Sequence, residues 1–333
     1  MVDEIKKIID EAQRIVILQA DNPDGDSLGS ALALEAILSA QGKDVALYCA
    51  VDIPGYLKYL SGWSRVLRDL PKNFDASIIV DTSTKTLFGK IQAAGEYSWL
   101  ATKPCIVLDH HAETASDIEF ATIVHNPEGV SSTAELIYDF AKAAYGSVPS
   151  DAFNPLMMGI LGDTQGLTNP LASAHTYQVM SEMVAAGADR PALEQLRREG
   201  SLMHESIYRY KGKLIERTEF AYDNQIATVT IPQSELITYS PLYNPGPLIQ
   251  TDMLQTEGVR VGIVFKVYDD GKITAMIRCN AGAEIANKIA VKFGGGGHGF
   301  AAGFKIVDGR PFNEVKSECI NYANELLENL NQE

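Results

Sequence analysis

Ile15-Val16-Ile17-Leu18-Gln19-Ala20-Asp21-Asn22-Pro23-Asp24-Gly25-Asp26-Ser27-Leu28-Gly29-Ser30 is the stretch that decides the fold. A short, unbroken apolar run gives way to a loop of turn formers, and from Leu28 to Ala40 the composition is helical. Strand, loop and helix in that order are the first half of a βαβ unit. Outward from it the pattern repeats: Asp44 to Cys49, Ala76 to Val80 and Cys105 to Leu108 read as further strands. Their β-branched residues run continuously instead of alternating, which predicts strands buried on both faces, hence a parallel sheet covered by helices. Helices are expected at about 132–145, 151–162 and 174–186.

The charged, helix-prone segment 188–217 reads as a connector. Beyond it, 225–231, 259–268 and 272–279 read as strands, the last two joined by the hairpin signal Asp269-Asp270-Gly271. A helix is expected at 284–292, a strand at 303–307 and a closing amphipathic helix at 311–330. The reading is therefore α/β: an N-terminal parallel-sheet domain (1–187) with helices on both faces, a helical connector (188–217) and a smaller α+β domain with a mixed sheet (218–333).

Composition bounds the function. With 43 acidic against 28 basic side chains the net charge is −15, so sequence-blind binding to long nucleic acid, which needs many Lys/Arg–phosphate contacts, is excluded. A short anionic substrate held through metal ions fits. Four cysteines, Cys49, Cys105, Cys279 and Cys319, lie far apart without a C-x-x-C spacing, as expected of reduced thiols. The start is an amphipathic charged helix without an apolar signal region, and no run spans a bilayer. These features predict a cytoplasmic protein with no membrane partner.

In an open parallel sheet ligands bind beyond the carboxyl ends of the strands, and acidic residues stand at three of those ends. Asp24 and Asp26 follow the first strand, Asp81 ends Ser77-Ile78-Ile79-Val80, and Asp109-His110-His111 ends Cys105-Ile106-Val107-Leu108. Asp163 ends the apolar segment Met158-Gly159-Ile160-Leu161-Gly162. Each alone is also what a helix N-cap or an Asp-Gly turn looks like. An EF-hand is excluded, because with Gly25 at its sixth position the first and twelfth would be Ala20 and Ala31. Taken together, carboxylates with one or two imidazoles suit Mn2+, Co2+ or Mg2+, and a pair of such ions is the usual device for displacement at phosphorus. Asp81, central in chain order, is the candidate bridging ligand. In the second domain Gly294-Gly295-Gly296-Gly297-His298 leaves backbone N–H groups open to an anion, and Arg278 ends a strand nearby in sequence.

These five motifs, in this order, resemble the DHH phosphoesterase family with its DHH-associated C-terminal domain. The resemblance runs from about Glu4 to Leu327 and is strongest to the group that cleaves very short RNA and dephosphorylates 3′-phosphoadenosine 5′-phosphate (pAp); related members hydrolyse the dinucleotide pApA. It implies that Asp24, Asp26, Asp81, His110 and Asp163 hold two metal ions, Mn2+ foremost with Mg2+ or Co2+ as substitutes. It also implies that Asp109 and His111 act at the reacting phosphate. Gly295, Gly296, Gly297, His298 and Arg278 are then the nucleotide-binding residues, facing an active site in the cleft between domains. The implied function is hydrolysis of short oligoribonucleotides or nucleotides, in a monomer or a homodimer. Two departures stand out: Ala20 replaces a family His, leaving Asp21 or Gln19 as substitutes, and Leu167-Thr168-Asn169 replaces an aromatic–Arg pair. They keep open a catalytically weak nucleotide-binding protein, and a pyrophosphatase or polyphosphatase of the same superfamily is the other enzyme alternative.

Overall fold

The computed structural model describes every residue except 112–114, 241, 298 and 332–333. The chain divides into two compact units, Met1–Leu202 and Met203–Glu333.

In the first unit, β1 (Arg14–Leu18), β2 (Asp44–Tyr48), β3 (Ala76–Val80), β4 (Cys105–Leu108) and β5 (Ile123–His125) form one parallel sheet in the order β2-β1-β3-β4-β5. Around it lie α1 (Val2–Glu11), α2 (Gly25–Ala40), the short α3 (Gly89–Ala93) and α4 (Tyr97–Leu100), α5 (Thr133–Tyr145), α6 (Phe153–Asp163), α7 (Ala174–Ala185) and α8 (Arg190–Gly200). The β-branched runs are buried on both faces as expected. Ile15, Ile17, Ile78, Val80 and Ile106 pack into the core that holds α2, α5 and α6, while Val16, Leu18, Ile79 and Val107 pack with Phe88, Ile91 and Leu100. The sequence reading missed β5, whose three residues are half-buried and too few to show a period.

The sheet's carboxyl end owes its shape to a close helix crossing. A Cβ at Gly29 would lie 2.4 Å from the Pro155 carbonyl, and one at Gly159 would lie 2.4 Å from Asp26 Oδ1. Glycine at both positions lets α2 and α6 approach backbone to backbone, which fixes where the two helices deliver Asp26 and Asp163.

The second unit contains α9 (Glu205–Glu216), β6 (Glu219–Ala221), β7 (Ile226–Pro232), α10 (Gln233–Tyr239), α11 (Pro245–Leu254), β8 (Val261–Val267), β9 (Ile273–Cys279), α12 (Ala286–Lys292), β10 (Gly296–Gly297), β11 (Ala301–Ile306) and α13 (Phe312–Leu330). Its sheet, ordered β10-β11-β9-β8-β7-β6, is mixed: β7 and β8 run parallel and the other neighbours antiparallel. The expected hairpin joins β8 to β9. Unforeseen was α11, hidden by Pro245-Gly246-Pro247, where proline occupies the first helical turn and Asn244 caps it. Among the described residues no helix is long and apolar enough to cross a membrane.

Candidate metal centre

Four elements of the first unit deliver the acidic residues to one place. Asp26 enters from the first turn of α2, fully buried, and its carboxylate accepts the backbone N–H groups of Thr133 at 2.6 Å and Ala134 at 2.9 Å. The N-terminus of α5 thereby holds an anion where its dipole favours one. Asp81 follows β3 with φ +62°, in the left-handed region, and its N–H donates to the Leu108 carbonyl at 2.9 Å. Strain of this kind, at a strand end over a cluster of charge, marks a position held for its side chain. Asp163 ends α6, and His110 follows β4.

His110 Nε2 lies 2.9 Å from Asp163 Oδ2, 3.7 Å from Asp81 Oδ1 and 3.9 Å from Asp26 Oδ2. One ligand atom from each of these four residues lies within 4.8 Å of the others, and Asp81, His110 and His111 form a second such set. The two sets share Asp81 and His110. That overlap is compatible with adjacent cations.

The electrostatics are those of a site short of positive charge. Burial first, then Asp163, pushes the Asp26 carboxyl well above the ordinary range, and burial followed by Asp26 and Asp24 does the same to Asp81. Asp24 is raised by burial and by Asp163. For His110, burial opposes the charged form, but the Asp163 carboxylate 2.9 Å away and the charge of Asp26 outweigh it and raise the imidazole to about 9. With its imidazole neutral, His110 adds one nitrogen donor to the four carboxylates, an oxygen-rich, nitrogen-assisted set that suits Mn2+, Mg2+ or Co2+.

Asp109 and His111 form a separate arrangement beside this cluster. The buried Asp109 carboxylate accepts the His110 N–H at 2.9 Å, His111 Nδ1 at 2.8 Å and the Ser83 hydroxyl. These bonds outweigh its burial and hold it below the ordinary carboxylate range. Asp109 therefore fixes the half-exposed His111 ring through Nδ1 and leaves Nε2 unengaged by this carboxylate. Two contributors escaped the sequence reading. Ser83 anchors Asp109, and Thr133 supplies Asp26 with its N–H and Asp81 with its hydroxyl, at 3.2 Å. Thr133 opens α5, where the Ser132 side chain caps the helix by accepting the Glu135 N–H at 3.1 Å.

Asp24 lies outside the four-residue set. Its Oδ1 caps α2, accepting the N–H groups of Asp26 and Ser27 at 3.0 Å. Of the two substitutes for the missing imidazole at Ala20, Asp21 has Oδ2 engaged by the Lys90 N–H at 2.8 Å, at the start of α3. Gln19 is 1% exposed, and among the described residues neither polar atom of its amide finds a partner. Thr168 follows a tight turn in which Gln165, Gly166 and Leu167 all have positive φ, and its hydroxyl donates to the Gln165 carbonyl at 2.8 Å.

In the second unit the glycine-rich segment is partly explained by packing. A Cβ at Gly295 would meet the Gly303 carbonyl at 2.1 Å, and one at Gly297 would meet the Ala301 carbonyl at 2.5 Å, whereas Gly296 has open space. β10 thus lies against β11, and Arg278 pairs with Ala301 on the other side of that strand. Arg278 is half-buried, with its guanidinium pulled below its ordinary range by burial. Among the described residues no carboxylate pairs with it. His298 lies outside the described residues.

Residues 14–160 match the DHH family, N-terminal domain. The chain is 24% identical over 292 residues to the probable bifunctional oligoribonuclease and PAP phosphatase NrnA of Streptococcus mutans, covering 87% of this chain and 88% of that protein. It is 25% identical over 252 residues to the cyclic-di-AMP phosphodiesterase GdpP of Bacillus subtilis, over 69% of this chain but 36% of that longer protein. An exopolyphosphatase-related protein from Bacteroides fragilis superposes with a TM-score of 0.86 at 22% identity, over 100% of this chain and 97% of its own, and so shares the fold. The whole parallel sheet, Asp26, Asp81 and the Asp109-His110-His111 turn lie within the residues that match the DHH family, N-terminal domain.

Proposed function

We propose that the chain is a metal-dependent phosphoesterase that hydrolyses short nucleotides: RNA of a few residues, pApA or pAp. The observation that carries this reading is the set Asp26, Asp81, His110 and Asp163, the first buried and the others half-buried, whose donor atoms lie within 4.8 Å of one another. A cluster of like charges out of water is costly unless cations occupy it. With Asp24 they make up the proposed ligand set, Asp81 bridging two ions, with Mn2+ preferred over Mg2+ or Co2+. Divalent ions held there would activate water and stabilise both the entering and the leaving oxygen at phosphorus.

The chain's own residues do the rest. Asp109 keeps the His111 ring oriented through Nδ1, so that Nε2 meets the reacting phosphate. In the second unit Gly295, Gly296, Gly297, His298 and Arg278 bind the nucleotide. The names of the Streptococcus mutans and Bacillus subtilis relatives, both phosphodiester- or phosphomonoester-cleaving, support this class of substrate. With a net charge of −15, long RNA meets no basic track. The protein acts in the cytoplasm, alone or as a homodimer.

The test is a panel of pAp, pApA, RNA from dimer to 20-mer and pyrophosphate, assayed with Mn2+ and with EDTA. Release of mononucleotide or phosphate is expected with Mn2+ alone, falling steeply beyond a few nucleotides. Equal rates on a 2-mer and a 20-mer, or turnover of pyrophosphate only, would reject the assignment.

A further inference from the structure

Within the first unit, Asp24 and Asp163 also line a cavity of about 740 Å³, shared with Tyr56, Tyr59, Arg190 and Arg197. Its size suits a small ligand. Helix α8 supplies the basic wall. Arg190, Glu194, Arg197 and Arg198 recur at helical spacing on one face, anchored by the buried Leu193 and started by an Asp189 cap and Pro191.

The charge balance of this wall is unusual for so acidic a chain. Among the described residues Glu194 is the one carboxylate paired with these three guanidiniums. It is held by Arg197 at 2.7 Å and Arg198 at 2.9 Å, with Arg190 more distant at 3.5 Å. The helix wall by itself thus carries two guanidiniums more than carboxylates, in the same cavity as the carboxylates of Asp24 and Asp163. Guanidinium forks match phosphate geometry, and tyrosine rings accept a base on their faces whatever its sequence.

We propose that this cavity holds the non-reacting end of the substrate, with Arg190 and Arg197 gripping a terminal phosphate monoester and Tyr59 flanking the base. The inference rests on the phosphoesterase reading and adds a selection to it: a short nucleotide with a second, terminal phosphate is favoured over one without. Glu194 is then a built-in competitor, since it occupies the guanidiniums when the phosphate is absent.

The full chain is tested with pApA and with ApA, which lacks the terminal phosphate. Equilibrium binding is measured calorimetrically with Ca2+ present and turnover with Mn2+. The parent should bind pApA about tenfold more tightly than ApA, as expected for a charge-assisted contact. Arg197→Ala should erase most of that difference. Glu194→Gln should widen it, a direction that loss of helix stability would not produce. Equal binding of the two nucleotides by the parent, or an undiminished difference in Arg197→Ala, overturns the proposal. If the difference persists while neither nucleotide is turned over with Mn2+, the cavity assignment stands and the phosphoesterase reading falls.

Discussion

Asp81 in the first unit and Glu235 in the second are both carboxylates drawn out of water, their side chains 7% and 22% exposed, and they have been treated in opposite ways. Glu235 accepts Arg217 through both oxygens at 2.8 Å and the Tyr210 hydroxyl at 2.7 Å. Those bonds outweigh burial and hold it below the ordinary glutamate range. Asp81 has Asp26, Asp24, Asp163 and Asp109 for neighbours, the His110 imidazole at 3.7 Å, among the described residues a single hydroxyl for a hydrogen bond, and a left-handed backbone. The contrast separates a buried charge that completes its own structure from one whose partner has to arrive. Only the second kind is evidence for a ligand.

The largest expected effect comes from removing the unsatisfied charge. Asp81→Asn keeps a residue that tolerates positive φ while deleting the proposed bridge. Mn2+-dependent hydrolysis should fall by more than about a hundredfold, beyond the loss typical of a residue that merely orients a ligand. The unloaded protein should be at least as stable as the parent, because a repulsive charge has gone. Thermal melts in EDTA beside the activity assay check both halves; a variant that keeps its activity removes Asp81 from the bridge.

Asp109→Asn is expected to come next. Its oxygens hold the His111 ring and the Ser83 hydroxyl, so the change should misorient or retautomerise the ring and lower kcat about 10–100-fold with a smaller change in KM. Metal affinity, measured by calorimetry, should hardly move. A large drop in metal affinity would instead make Asp109 part of the ligand set.

Much of this contrast was legible before any coordinates. Continuous β-branched runs announced the parallel sheet, and acids at three strand ends announced the cluster, because residue type and position at a sheet's carboxyl edge suffice for that inference. What the sequence left out was three-dimensional satisfaction. Asp24, Asp81 and Glu235 look alike in a string; their difference lies in partners 52 residues away for Asp81 and Thr133, and 18 for Glu235 and Arg217. The glycines at 295 and 297 illustrate the same limit, since their closest constraint is β11 and not an anion.

Glu235→Ala is the matching experiment on the satisfied side. It strands the Arg217 guanidinium and the buried Tyr210 hydroxyl, so the second unit should lose about 1–3 kcal/mol. Hydrogen exchange of amides in β7 and α9 would read this loss, while Mn2+ affinity of the first unit should be unchanged. Equal protection in parent and variant would show that the triad contributes little.

The smallest effect, and the one that tests the comparison itself, is opposite pH dependence of the two units without metal. Asp24, Asp26 and Asp81 have folded pKa values raised above the unfolded 3.8, and His110 is raised from 6.5 to about 9. In each case the folded state holds its proton to higher pH than the unfolded chain does. Stability is then greatest below the unfolded values and declines as pH rises, between about 4 and the raised carboxylate values for the acids and between 6.5 and about 9 for His110. Glu235, lowered from 4.5, contributes stability that is present above that value and lost as pH falls through its folded pKa. Trp63 and Trp99, the two tryptophans, both lie in the first unit, so fluorescence melts in EDTA report that unit alone. The melting temperature should fall from pH 5 to pH 8, by roughly 2–4 °C for each kcal/mol lost, and Mn2+ should reverse the trend because cations take the place of the protons. A fluorescence melt that rises with pH in EDTA would mean that the carboxylates are already neutralised within the fold, and the distinction between Asp81 and Glu235 would fail.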